Sequence, residues 1–91
     1  MKHIVRTTHF RQAFRKRIQY DPQLRELFHQ QLELFLSGDI KKTQPHTLKG
    51  KMLGLCSFSI TEDVRVIYKE ESQFYVLVDV GTHEQVYGRE N

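Results

Sequence analysis

The stretch VDVGTHEQVYG, residues 78–88, carries two side chains suited to chemistry: His83, directly after Gly81-Thr82, and Tyr87 four positions on. An imidazole with an ordinary pKa of about 6.5 can take or give a proton near neutral pH, and a phenol can donate a hydrogen bond or offer a stacking face. A turn at the end of a strand needs neither, because Gly81 alone supplies backbone freedom to leave it. The spacing leaves the geometry open. In an extended segment the two residues share a face about 13 Å apart, at roughly 3.3 Å per residue. In a helical segment the i, i+4 spacing brings them to about 6 Å, close enough to act together.

Little chain is available to position these groups. With 91 residues there is room for a single domain (1–91) with one sheet covered on one face, and a cofactor-binding α/β architecture is not expected. No apolar run approaches the roughly 20 residues that cross a bilayer, and the N-terminus lacks a signal-peptide pattern, so a soluble, cytoplasmic protein with no membrane partner is expected. Cys56 is the single cysteine; it excludes an internal disulfide and agrees with a reducing compartment. His3, His9 and His29 have no ligand spacing, so neither a metal nor another cofactor is expected.

Charge is unevenly distributed. Through Lys51 eleven bases face four acids, a balance of +7, and from Met52 onward three bases face seven acids, a balance of −4, which leaves the net +3. Such polarity suits a polyanion or an acidic protein, and equally a solvated basic surface.

Hydrophobic periodicity orders the elements. KHIVRTT reads as a first strand, with Thr7 or Thr8 able to cap a helix. Phe10, Ala13, Phe14 and Ile18 then form one apolar stripe, while Arg11, Arg15, Lys16 and Arg17 look elsewhere. Asp21-Pro22 starts a second helix bearing Leu24, Leu27, Phe28, Leu32 and Phe35, which stops at Ser37-Gly38. The two make a hairpin. A polar connection, residues 39–51, leads to three strands at 52–60, 64–69 and 74–80, read as an antiparallel meander. In the last, Phe74, Val76, Val78 and Val80 alternate against Tyr75, Leu77 and Asp79. The expected fold is α+β, β-α-α-β-β-β, with the helical hairpin packed on one face of a small, mainly antiparallel sheet; Arg65, Ser57 and Ser59 lie on the other, partly open face.

This order, together with HTLKGKMLG (46–54), DVRVIY (63–68) and DVGTHEQVYG (79–88), resembles the RelE/ParE superfamily of bacterial toxins over nearly the whole chain. The Pro-His-x-Leu-x-Gly stretch and the terminal Gly-Thr-His resemble its YafQ branch. The resemblance implies a RelE-like fold and the toxin of a type II toxin–antitoxin system, a ribosome-dependent endoribonuclease that cuts mRNA in the A site. The implied partners are a cognate antitoxin, the ribosome and mRNA, with operator DNA reached only through the antitoxin complex.

The resemblance also implies site residues. His46, Asp63 and His83 occupy places where YafQ-like enzymes carry residues implicated in cleavage. Arg65 matches the arginine that RelE-like members use on the middle strand, and Tyr87 stands where the family often has an aromatic. Two positions depart: Ser59 replaces a histidine, and Asp79 replaces an arginine two residues before Gly-Thr-His, a repelling charge for an attracting one.

Cleavage of RNA by its own 2′-hydroxyl needs a base, an acid for the leaving 5′-oxygen and positive charge for the phosphorane, without an essential metal. His83 and His46 suit base and acid; Lys49, Lys51 and Arg65 suit phosphate; Tyr87 could stack on a base or donate its phenol proton. Structural alternatives stand beside these. Arg65 could pair with Asp79 on the same sheet face, Asp63 could be a turn residue, and Cys56 reads as core packing. The two departures leave two other readings open: a ParE-like inhibitor of DNA gyrase without a nuclease centre, and an inactive homologue that binds antitoxin. An acidic antitoxin segment is expected to order on the basic hairpin and open sheet face and to cover the Arg65 and His83 region.

Overall fold

Thr7 closes the first strand and opens the first helix: its hydroxyl accepts the Phe10 N–H at 3.0 Å and donates to the Leu77 carbonyl at 3.0 Å. The computed structural model describes residues 2–88, so Met1, Arg89, Glu90 and Asn91 of the expected 1–91 domain lie outside it. The elements are β1 (His3–Arg6), α1 (Thr8–Arg17), α2 (Pro22–Leu36), α3 (Ile40–Thr43), β2 (His46–Thr47), a 3₁₀ turn (Gly50–Met52), β3 (Cys56–Ser59), β4 (Val64–Glu70), β5 (Phe74–Thr82) and α4 (His83–Tyr87). Strand order is β1-β5-β4-β3-β2. β1 runs parallel to β5 and every other pair is antiparallel.

The two main helices form where their caps and stripes place them. Asp21 accepts the Leu24 N–H at 3.1 Å with Pro22 in the first turn, and Gly38, at φ +86°, follows the end of α2. Phe10, Ala13, Ile18, Phe28, Leu32 and Phe35 bury against Phe58, Val66, Tyr68, Leu77 and Val80 on one sheet face. Aromatic rings join the layers. Phe14 meets Phe28 edge-on at 5.0 Å between the helices, and Phe35 stacks on Phe58 at 4.2 Å between helix and sheet.

Three local expectations are corrected. The connection at 39–51 holds α3, capped by Asp39, the edge strand β2 and the 3₁₀ turn, so the sheet has five strands. The strand expected at 52–60 begins only at Cys56, because Gly50 (φ +66°) and Gly54 (φ +93°) turn the backbone out of the extended region. In β5 the strict alternation breaks: Ile67 faces Asp79 while Tyr68 faces Leu77, so Val78 is the extra residue of a bulge. Leu77 and Val80, three apart, therefore both enter the main core.

Gly81 is also corrected. It stays inside β5 and is buried, and its freedom is not what ends the strand. A Cβ there would lie 2.6 Å from Gln85 Oε1 and 2.9 Å from an Arg17 Nη atom, so a side chain would push aside the Gln85 amide that closes the α4 cap and the Arg17 guanidinium. Thr82 ends the strand by capping α4.

Candidate functional site

α4 settles the geometry of the first two candidates. Thr82 Oγ1 accepts the Gln85 N–H at 3.2 Å, and Gln85 Oε1 accepts the Thr82 N–H at 2.8 Å. This reciprocal capping box stabilises the helix start. The His83 N–H donates to the Asp63 carbonyl at 3.1 Å, which ties the helix to the β3–β4 turn. Val86 is buried and α4 packs on β4 and β5. His83 and Tyr87 are thereby one turn apart, their ring centroids separated by 4.4 Å.

These two rings form one wall of an open groove of about 390 Å³, completed by His46, Leu48, Lys49, Met52 and Arg65. Three segments distant in sequence converge there: the run from edge strand β2 through the 3₁₀ turn, β4 and α4. His46, Lys49 and His83 are exposed, and Arg65 and Tyr87 are half-buried.

Arg65 is held from two sides. Its Nε donates to Ser57 Oγ at 2.9 Å, and its Nη2 donates to the Gln44 carbonyl at 2.9 Å and the Ser57 carbonyl at 3.3 Å. Gln44 presents that carbonyl from a left-handed conformation, φ +48°. Among the described residues Nη1 has no acceptor, leaving one edge of the guanidinium for an anion in the groove. Ser57 is fully buried, contrary to the expectation of a partly open position, and the Tyr87 hydroxyl oxygen lies 3.2 Å from its Oγ.

The remaining candidates sit elsewhere. Lys51, in the 3₁₀ turn, and Asp63, in the β3–β4 turn, do not line the groove; Asp63 reaches it only through its carbonyl bond to His83. Ser59 is absorbed by its own turn, its hydroxyl donating to the Thr61 carbonyl at 2.7 Å. The Arg65–Asp79 pair, one of the alternatives for Arg65, does not form. Asp79 instead accepts from Arg17 Nη1 at 3.2 Å and has His9 Nε2 at 3.4 Å from its second oxygen, so α1 neutralises it. Its charge is thereby paired with Arg17 and not with Arg65.

Leu48, Met52, Gln44 and Ser57 had no site role in the sequence. Ser57 lies two strand pairs from Asp79, facing Ile67 as Ile67 faces Asp79, and only that register together with α4 shows that it meets both Arg65 and Tyr87. Among the described residues no group of three or more His, Cys, Asp or Glu side chains is placed to hold a metal ion. Among the described residues no helix is long and apolar enough to cross a membrane.

The family model for the YafQ toxin, the bacterial toxin of a type II toxin–antitoxin system, matches residues 2–88. The chain belongs to this family. Solved YafQ and related toxins share the fold: YafQ from E. coli strain BL21(DE3) has a TM-score of 0.70 at 18% identity, covering 97% of this chain and 100% of that one. A YoeB/ParE toxin from Agrobacterium tumefaciens has a TM-score of 0.72 at 22% identity, covering 91% and 99%. The match to the E. coli DinJ-YafQ toxin-antitoxin complex has a TM-score of 0.72 at 17% identity, covering 96% and 98%. No curated protein sequence matches the chain significantly. On this YafQ fold, the groove carries two imidazoles, a guanidinium with one free edge, a lysine and a phenol, a set able to move protons around a bound phosphate.

Proposed function

We propose that this YafQ-family toxin is a ribosome-dependent endoribonuclease that cleaves mRNA through attack of the RNA 2′-hydroxyl on the adjacent phosphorus. The observation that carries the reading is the convergence of His46, His83, Arg65, Lys49 and Tyr87 on one groove. One histidine removes the 2′-hydroxyl proton as the new P–O bond forms, and the other gives a proton to the departing 5′-oxygen, leaving a 2′,3′-cyclic phosphate. Arg65, pre-set by Ser57 and Gln44, and Lys49 stabilise the charge on the phosphorane. Asp63 acts through its backbone, by fixing the start of α4.

Primer-extension mapping of mRNA in a translating extract tests this by comparing the chain with His83→Ala and His46→Ala. Cuts at codon-defined positions that vanish in the variants are expected. Growth arrest with intact mRNA would overturn the reading, and a supercoiling assay would then examine gyrase.

The partner in the cell is a cognate antitoxin, as the DinJ-YafQ complexes illustrate for E. coli YafQ; operator DNA is reached only through that complex. Arg6, Arg11, Arg15 and Lys16 make no ion pair with a carboxylate among the described residues, so the hairpin side of the molecule suits an acidic segment that orders on contact. Full nuclease activity in the saturated complex would show that the antitoxin leaves the groove uncovered.

A further inference from the structure

We infer that Ser57 is a positioning residue that orients both Arg65 and the phenol proton of Tyr87; the inference rests on the nuclease reading above. Ser57 has no exposed surface, and its hydroxyl oxygen holds two donors at once. Arg65 Nε–H can only donate, so at 2.9 Å Ser57 Oγ accepts from it. Its second lone pair accepts from the Tyr87 hydroxyl at 3.2 Å.

The consequence is a shared acceptor: the Arg65 Nε–H and the Tyr87 O–H both donate to Ser57 Oγ. With its proton held by Ser57, the Tyr87 oxygen is left as an acceptor at the groove, where an RNA hydroxyl can donate to it. No bond is made or broken by Tyr87 in this role. The same serine fixes the guanidinium, since Nε is bound to Ser57 and Nη2 to backbone carbonyls, which leaves Nη1 for an anion. A strand residue that touches no substrate thus sets a donor and an acceptor at once.

A double-mutant cycle tests the inference. Single-turnover cleavage on programmed ribosomes is measured for the native chain, Ser57→Ala, Tyr87→Phe and the double variant. Ser57→Ala should lower kcat about tenfold with KM within about twofold, the loss of one hydrogen bond made in the transition state. In the Tyr87→Phe background the same substitution should cost less than about threefold. Equal losses in both backgrounds, or a native rate in Ser57→Ala, would overturn it.

Nitrogen-15 NMR of the arginine side chains gives a readout independent of cleavage and of the nuclease reading. The Arg65 Nε–H, assigned by its loss in Arg65→Lys, should exchange slowly in the native chain and rapidly in folded Ser57→Ala. If the native chain cuts no mRNA the nuclease reading falls, and this signal alone decides Ser57. Fast exchange in the native chain would overturn the positioning role.

Discussion

His83 and Tyr87 stand with ring centroids 4.4 Å apart because α4, a helix of five residues, sets them on one face. A helix this short has almost no stability of its own, since nucleation costs more than one or two backbone hydrogen bonds return. Its existence depends on the Thr82–Gln85 capping box, the His83–Asp63 backbone bond and burial of Val86.

Thr82→Ala should therefore lower stability by about 1 kcal/mol and lower cleavage by more than that loss of folded protein explains, because His83 and Tyr87 separate when α4 frays. Thermal unfolding together with single-turnover cleavage at a temperature where the variant is folded checks both parts. A variant with native cleavage would show that the ring pair is dispensable.

Asp79→Arg would place the arginine implied by the family resemblance at this position, but here it faces Arg17. The carboxylate now accepts from Arg17 Nη1 and from its own Val80 N–H at 2.8 Å. Replacing it should destabilise by about 2–3 kcal/mol with no gain in cleavage rate, as read by urea unfolding and the mRNA assay.

Lys49 and Lys51 should separate in kinetics although they are two residues apart. Lys49 lines the groove and Lys51 does not. Lys49→Ala should raise KM or lower kcat about three- to tenfold, as expected for one exposed charge near a phosphate. Lys51→Ala should change cleavage less than about twofold.

Phe35 is the ring on which helix and sheet meet, stacked on Phe58 at 4.2 Å and set against Tyr68 at 4.9 Å and Tyr75 at 4.8 Å. Phe35→Ala should cost about 3–5 kcal/mol, seen as a large fall in the urea midpoint. The groove sits on the other side of the sheet, so the cleavage rate per folded molecule should stay close to native.

Alkali should destabilise the fold through two neighbouring groups. Burial pushes the Cys56 thiol up, with Glu70 adding to it and the hydrogen bond to Tyr68 opposing, and burial pushes the Tyr68 phenol up as well. On unfolding both return to ordinary values of about 8.5 and 10, so the unfolded chain loses these protons first. The stabilisation is complete below about pH 8.5 and is lost as pH rises through the folded values. Urea midpoints should decline from about pH 8.5 upward and keep declining beyond about pH 10, and Cys56→Ser should remove the part that begins at the lower pH.

Much of the architecture was legible because its signals are local. The stripe from Phe10 to Ile18, the Asp21-Pro22 start and Gly38 stop of α2, and the alternation in β4 depend on residues a few positions apart, and each reappears in the structure. The family resemblance was legible for a related reason: the segments that carry it hold a fixed place around the sheet. Local periodicity failed where a single backbone event decides the outcome. The bulge at Val78 shifts the faces of β5 without any apolar residue changing, and Gly50 and Gly54 shorten a strand whose side chains still alternate.

The sequence by itself determined the α+β order of the chain, the two capped helices, the main apolar face and the short set of groups able to move protons or hold phosphate. Tertiary structure alone decided which of those groups meet. Whether His83 and Tyr87 are extended or helical depends on a cap whose two halves are local but whose helix survives only by burying Val86 on β4 and β5. Whether Arg65 faces Asp79 or the groove depends on Ser57 and Gln44, brought near it by strand pairing and by the turn before β2. These are contacts between residues far apart in the chain. Their free energy arises only when the whole sheet is formed, so no local pattern can encode them.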